Sequence, residues 1–507
     1  QRIAVQESPH GIPLLFGRDV IHGLHALAPI PLAQAATWDL DLVEAGSRTA
    51  AADASAYGIR WTFAPMLDIA RDPRWGRIAE SPGEDPFLAS RLAEAMVRGF
   101  QGDSLTDPTA VAACAKHFAA YGAAEGGRDY NTVSIPETEL RNIYLPPFEA
   151  AVDAGAASLM SSFNEINGIP ASAHPVLLTA ILRNEWDFDG FVVSDWESVT
   201  EMIAHGFSED DRAAARQAVA AGLDMDMMSR AYAGNLADLV SAGEVAEQVI
   251  DAAVTRILRI KYRLGLFDQP YRDPNATPGE SSDDSMKIAR RLAVESAVLL
   301  RNEGAVLPLG GNVGRVAVIG PLADAPHEQL GTWSFDGRSE DSVTPLAELR
   351  RRLGPRVEYA PGLKHSRSTS RDGFPAALQA ASDADVVVFF GGEEAILSGE
   401  AHSRADLDLP GAQPELIAEL ARTGKPIVLV LLAGRPLTVH AILEEVDALL
   451  MAWHPGTMGG PAMVDLLLGV ASPSGRLPVT WPKAVGQVPI YYNHKNTGRP
   501  PRRERLI

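Results

Sequence analysis

Short apolar runs that each stop at a polar residue recur through the first half of this chain, and helical stretches lie between them. Pro13-Leu14-Leu15-Phe16 leads to Asp19, and Arg60-Trp61-Thr62-Phe63-Ala64-Pro65 leads to Asp68. Residues 111–115 end at Lys116-His117, and 157–162 end at Phe163-Asn164. Gly190-Phe191-Val192-Val193-Ser194 runs straight into Asp195-Trp196-Glu197, and Leu223-Asp224-Met225-Asp226 closes the series. Such short, β-branched runs read as strands buried on both faces. The helical pattern at 211–221 has Gly222 as its C-terminal stop. A βαβα alternation predicts a parallel sheet with crossover helices. In a barrel of parallel strands, the polar residues at the strand ends are where chemistry is built. Six strands are counted where a closed barrel has eight; an irregular segment and a stretch ahead of Gln1 are the expected remainder.

At 507 residues the chain exceeds one core. A helix is expected over about 244–264, with Ile250, Ala253, Ile257, Ile260 and Leu264 on one face and Gly265 as its stop. Residues 269–284, rich in Pro, Asp, Ser and Gly, read as a linker. Beyond it, apolar strands at 316–320, 386–391, 427–432 and 448–453 alternate with helices such as 414–422, predicting an open α/β sheet covered on both faces. Its strand ends carry no G-x-G-x-x-G, because Pro321 follows Gly320 and Glu393-Glu394 follow Gly391-Gly392. A dinucleotide site is disfavoured, and no P-loop, zinc or EF-hand motif is present.

The net charge of −20 repels phosphate backbones, so nucleic acid is not an expected partner. No apolar run reaches the roughly 20 residues that span a bilayer, so no membrane partner is expected. The single cysteine, Cys114, excludes an intramolecular disulfide and reads as a buried small hydrophobe. The chain opens at Gln1-Arg2-Ile3 without an initiating Met, as if inside a longer gene product, and its basic end at 500–505 reads as a loop cut short.

The strand ends gather Asp19, Asp68, Lys116, His117, Asp195 and Asp226, with Arg77, Arg128 and Glu80, Glu84 and Asp85 in the loops beyond. One charge at a strand end is usually a helix cap; several together suggest a site. No cluster has transition-metal spacing, and no metal or cofactor is expected. Asp, Arg, Lys and His beside a Trp suit a neutral polyhydroxylated ligand. Arg77 can instead staple its loop to Glu80 or Asp85; Glu84 and Asp85 are assigned to structure and Asp226 to the rim.

Five segments stand out in order: Trp75-Gly76-Arg77 with Gly83-Glu84-Asp85-Pro86, Lys116-His117-Phe118-Ala119-Ala120-Tyr121-Gly122, Gly190 through Trp196, Ser398-Gly399-Glu400-Ala401-His402-Ser403-Arg404 and Gly475-Arg476-Leu477-Pro478. Together they resemble glycoside hydrolase family 3, and among its members the bacterial periplasmic β-glucosidases above all. The likeness extends to 485–492 and 496–500. It implies a (β/α)8-like TIM barrel over 1–268, a linker over 269–285 and an α/β sandwich over 286–507, with a C-terminal fibronectin-III-like domain of many members missing from this chain. It also implies Asp195 as nucleophile and Glu400 as acid/base, with Glu393 and Glu394 as rivals. Asp19, Arg77, Lys116, His117 and Arg128 would grip the sugar, Trp196 would flank it, and Trp333 would lie on the aglycone side. Phe163 stands where the family commonly has a Tyr that bonds the nucleophile, so that hydrogen bond is expected to be missing. A retaining glycosidase needs two carboxyls roughly 5–5.5 Å apart, one ionised and one protonated. Lys116, Arg77 and Arg128 are expected to hold Asp195 anionic, and Glu393, Glu394 and Asp195 to favour protonated Glu400.

The implied activity is exo-acting removal of a terminal β-glucosyl unit from an oligosaccharide or β-glucoside, with β-xylosidase as the nearest variant. The loop 121–130 lacks the His of the Asp-His dyad that a β-N-acetylhexosaminidase of this family commonly uses, and this, with a full second domain, argues against the alternative of a β-N-acetylhexosaminidase or phosphorylase. A non-catalytic sugar-binding protein is the alternative of another class, and a nucleotide-dependent α/β enzyme a weaker one. A homodimer is compatible with the sequence, and the likeness implies a periplasmic or secreted location.

Overall fold

The computed structural model describes residues 1–272 and 283–500. Most of the expected linker, 273–282, and the basic end, 501–507, lie outside the described residues. In the first lobe, six parallel segments follow one another in chain order. Gly17–Arg18 pairs with Trp61–Thr62, and Trp61 bridges to Ala112 and Met66 to Lys116. Cys114–Phe118 pairs with Ser158–Ser161, which pairs with Phe191–Ser194, and Val193 bridges to Met225. These are the six runs read from the sequence, so their polar ends face one rim. Helices such as Leu40–Ala56, Pro86–Gln101 and Asp211–Ala221 pack outside them. Gly222 takes φ 108°, the left-handed cap that ends Asp211–Ala221. The helix expected at 244–264 spans Glu247–Arg263.

The second lobe is a six-stranded sheet in the spatial order Val357–Ala360, Val316–Ile319, Val386–Gly392, Ile427–Leu432, Ala448–Met451 and Val298–Asn302, the last antiparallel. Its central strands alternate between two apolar cores. Val316, Val318, Val388, Phe390, Val428 and Val430 face one; Ala317, Ile319, Val387, Phe389, Leu429 and Leu431 face the other. That second core is completed by the first lobe, through Ile30, Leu32, Trp75, Ile78 and Tyr121. The helix Asp283–Ser296 packs on helices of both lobes.

A tail returns from the second lobe to the first. Buried Glu84 accepts from the Thr480 amide and hydroxyl and from the Tyr492 amide. Asp85 caps Pro86–Gln101 through the Phe87 amide and accepts from the Tyr492 hydroxyl, and Arg71 stacks 3.9 Å over the Tyr491 ring. Both acidic residues are structural, as the sequence reading assigned them. Among the described residues, no helix is long and apolar enough to cross a membrane.

Candidate active site

A cavity of about 690 Å³ opens between the lobes at the polar rim. Asp19, Arg77, Lys116, Asp195 and Trp196 reach it from the first lobe, and Trp333 and Glu400 from the second. Asp195 follows the buried strand Phe191–Ser194 directly, fixed by Ser194, whose amide donates to Met225 O and whose hydroxyl accepts from the Met227 amide. Its Oδ1 accepts from the Trp196 amide at 2.7 Å. A helix cap would accept two or three residues further on, so Asp195 is not serving as one. Its Oδ2 accepts no hydrogen bond among the described residues. Phe163 lines the same cavity and has no hydroxyl to offer, which agrees with the missing bond expected there.

Burial pushes the Asp195 carboxyl up to about 7, although Arg77, Lys116 and the Trp196 amide pull it down. The sequence expectation counted the cations and not the desolvation, and the second is larger. Lys116 is buried and its Nζ lies 2.9 Å from Asp19 Oδ1. Burial opposes its charge, yet Asp19, Glu80 and Asp195 outweigh it and hold the ammonium above its usual range.

Arg77 staples its loop as considered, and it also lines the cavity. It forks onto Glu80 at 2.9 and 3.1 Å, and its Nη1 reaches to 3.7 Å from Glu400 Oε2. Its Nη2 donates to His117 Nε2 at 2.9 Å. A guanidinium cannot accept, so Nε2 is the acceptor and Nδ1 carries the proton, donating to Asp68 Oδ2 at 2.8 Å. Burial, with Arg77 and Lys116, holds the ring well below its usual pKa, so it is neutral. His117 therefore does not reach the cavity as a sugar ligand. It stands behind it, 3.5 Å from Asp195 Oδ2, and fixes Arg77. Asp68 is part of this device and is likewise pushed up to about 7 by burial.

Arg128 is not brought to the site. Its side chain is 62% exposed beside Glu125, and its Nε donates to the Glu125 carbonyl. Gly126 and Gly127, both at positive φ, turn the chain so that Arg128 points outward and Tyr130 inward. Trp333 is not confined to an aglycone wall, because its ring lies 5.0 Å from Lys116 Nζ and 5.4 Å from the Arg77 guanidinium. Trp196 is half exposed at the mouth.

Glu400 arrives on a segment clamped to the first lobe. The Gly399 amide donates to Gly76 O at 2.8 Å. Fully buried Arg435 donates to the carbonyls of Pro73 and Arg74 on one side and of Leu397 and His402 on the other. The rivals are used elsewhere: Glu393 pairs with Arg404 and Arg435, and Glu394 with Arg367 and Ser366. They are not the negative neighbours expected beside Glu400; Arg77 and the Tyr130 hydroxyl are its neighbours instead. Sequence reasoning missed Tyr130, Asp129 and Arg435, whose partners in the other lobe are hundreds of residues away.

Comparison with known proteins matches both halves of the chain to one family. Residues 1–260 match the glycosyl hydrolase family 3 N terminal domain and 297–505 the glycosyl hydrolase family 3 C-terminal domain. The chain is 42% identical to the periplasmic beta-glucosidase of Salmonella typhimurium, over 96% of this chain and 67% of that protein. It is 36% identical to a beta-xylosidase of Formosa agariphila, over 95% and 70%. The beta-glucosidase of Listeria innocua, solved with isofagomine, glucose or, as a mutant, laminaribiose, superposes with a TM-score of 0.96 at 43% identity, covering 99% of this chain and 70% of that one. Two family domains that together match most of its length, with relatives this similar across nearly all of it, place the chain in glycoside hydrolase family 3.

Proposed function

We propose that this protein is a retaining, exo-acting β-glucosidase in which Asp195 is the nucleophile and Glu400 the acid and then the base. The observation that carries the assignment is one cavity that receives a carboxyl from each lobe, linked by the contacts Glu400–Arg77–His117–Asp195. The division of labour is a barrel-like lobe over 1–268 that supplies the nucleophile and a sheet lobe over 286–507 that supplies the acid/base. The unpartnered Oδ2 of Asp195 attacks the anomeric carbon while the bond to the leaving oxygen breaks and Glu400 gives that oxygen its proton. Water then attacks the same carbon, Glu400 takes its proton, and Asp195 departs. Asp19 accepts from sugar hydroxyls, and Lys116 and Arg77 donate to ring substituents. Asp195→Asn removes the nucleophile and lowers kcat on an aryl β-glucoside by at least about 10³-fold; near wild-type turnover overturns the assignment.

A glucosyl unit is favoured by the likeness to the Salmonella and Listeria enzymes, the latter solved with glucose and laminaribiose. A xyloside lacks one hydroxymethyl group, which a fitted pocket distinguishes by roughly 10–200-fold. An aryl β-glucoside is therefore expected to exceed the matching xyloside in kcat/KM by that order, and the reverse ranking favours a xylosidase. The likeness to the Salmonella protein supports a periplasmic or secreted location.

A further inference from the structure

The segment that presents Glu400 also meets two adjacent residues of a first-lobe loop, and neither grips sugar in the scheme above. Asp129 accepts from the Ala401 amide through Oδ2 at 2.7 Å and from the Trp75 indole through Oδ1 at 2.8 Å. Its own amide donates to Ser403 Oγ at 3.0 Å. Asp129 thus holds the backbone on the C-terminal side of Glu400. The next residue, Tyr130, takes φ 64°, uncommon for a residue with a side chain. Its ring stands edge-on to Phe163 at 5.2 Å, and its hydroxyl donates to Glu400 Oε1 at 2.7 Å.

We propose that Tyr130 is a positioning residue for the acid/base: it holds Oε1 of Glu400 so that Oε2 is the oxygen that carries and returns the proton, while Asp129 sets the backbone from which Glu400 turns in. This rests on the assignment of Glu400 made above. The charged and titratable groups facing Glu400 are Arg77, Tyr130, Glu80, Asp195 and Glu201; Arg404 of its own segment turns away to Glu393. A hydroxyl that donates to a carboxylate stabilises the ionised form. Removing it frees Oε1 and leaves Glu400 held in a looser geometry.

The test is Tyr130→Phe, which keeps the ring and its contact with Phe163. A phenyl β-glucoside needs its leaving oxygen protonated and a dinitrophenyl β-glucoside does not. kcat/KM is expected to fall about 10-fold for the first, part of the 10²–10⁴ that proton transfer contributes, and less than about 2-fold for the second. Glu400→Ala with added azide separates the two claims. Rescue of dinitrophenyl-glucoside turnover, with β-glucosyl azide as product, upholds Glu400 as the acid/base. If rescue occurs but Tyr130→Phe slows both glucosides equally, or neither, only the role of Tyr130 is overturned. If azide rescues nothing, Glu400 is not the acid/base and the role of Tyr130 falls with it.

Discussion

A carboxyl that must attack has to be ionised, and at Asp195 burial works against ionisation while Arg77 and Lys116 work for it. With its pKa raised to about 7, Asp195 as the proposed nucleophile is expected to be protonated and inert below that pH and ionised above it. The acid limb of kcat/KM is therefore assigned to Asp195 and expected near 7, with the rate falling as pH falls. Lys116→Met removes a positive charge whose Nζ also holds Asp19. It weakens sugar binding, and it also moves the acid limb to higher pH, because one of the two cations opposing the desolvation is gone. A pH series on the variant checks this; an unmoved limb means that Lys116 does not set the charge of Asp195. Arg128 gives the contrasting case. Its exposed pair with Glu125, 4.0 Å apart, belongs to a class of contacts worth about 0–1 kcal/mol. Arg128→Ala is expected to leave kcat/KM within about 2-fold, a prediction that a tenfold loss refutes.

The elements that matter most are the two loops that meet where Gly76 faces Gly399. A Cβ at Gly76 would lie 2.1 Å from Gly399 O, so Gly76→Ala must push the Glu400 segment away. A misplacement of about 1 Å costs on the order of 10²-fold in rate. kcat is expected to fall by that order while glucose, as a competitive inhibitor, still binds through Asp19 and Lys116. Equal loss of inhibitor binding would place the damage elsewhere. This contact also marks where the sequence stops being legible. The six first-lobe strands and Asp19, Lys116 and Asp195 were readable because a buried parallel strand is a continuous apolar run, and any charge that ends it stands out. Val298–Asn302 and Val357–Ala360 went unread because they are edge strands, partly exposed and only four or five residues long. Arg128 was misplaced because the direction of its loop depends on the backbone angles of Gly126 and Gly127, which no side-chain pattern encodes. Arg435 was passed over because Gly434-Arg435-Pro436 reads as an ordinary turn. Only the fold brings four carbonyls from two lobes around it.

At the scale of the whole molecule, the lobes are not two bodies that touch at a rim. One apolar core runs from Ile30, Leu32, Trp75 and Ile78 into the sheet residues Ile319, Phe389, Leu429 and Met451. Arg435 crosses the seam from one side, and the Glu84–Thr480–Tyr492 contacts cross it from another. Separating the lobes exposes that core, leaves buried Glu84 without Thr480 and Tyr492, and leaves buried Arg435 without the Pro73 and Arg74 carbonyls, a cost of several kcal/mol in all. Thermal unfolding is therefore expected to show one cooperative transition, not one per lobe. Trp75 tests the coupling, since its ring is fully buried in the shared core and its indole donates to Asp129. Trp75→Ala is expected to destabilise by about 3–5 kcal/mol and to lower the single transition as a whole. Glucose, seated in the cavity between the lobes as proposed above, is expected to raise the midpoint, by an amount corresponding to about 2.7 kcal/mol at a hundredfold excess over its Kd. Calorimetry with and without glucose decides the matter. Two transitions, with only the first moved by Trp75→Ala and only one moved by sugar, mean that the lobes fold apart and that the site is assembled by docking.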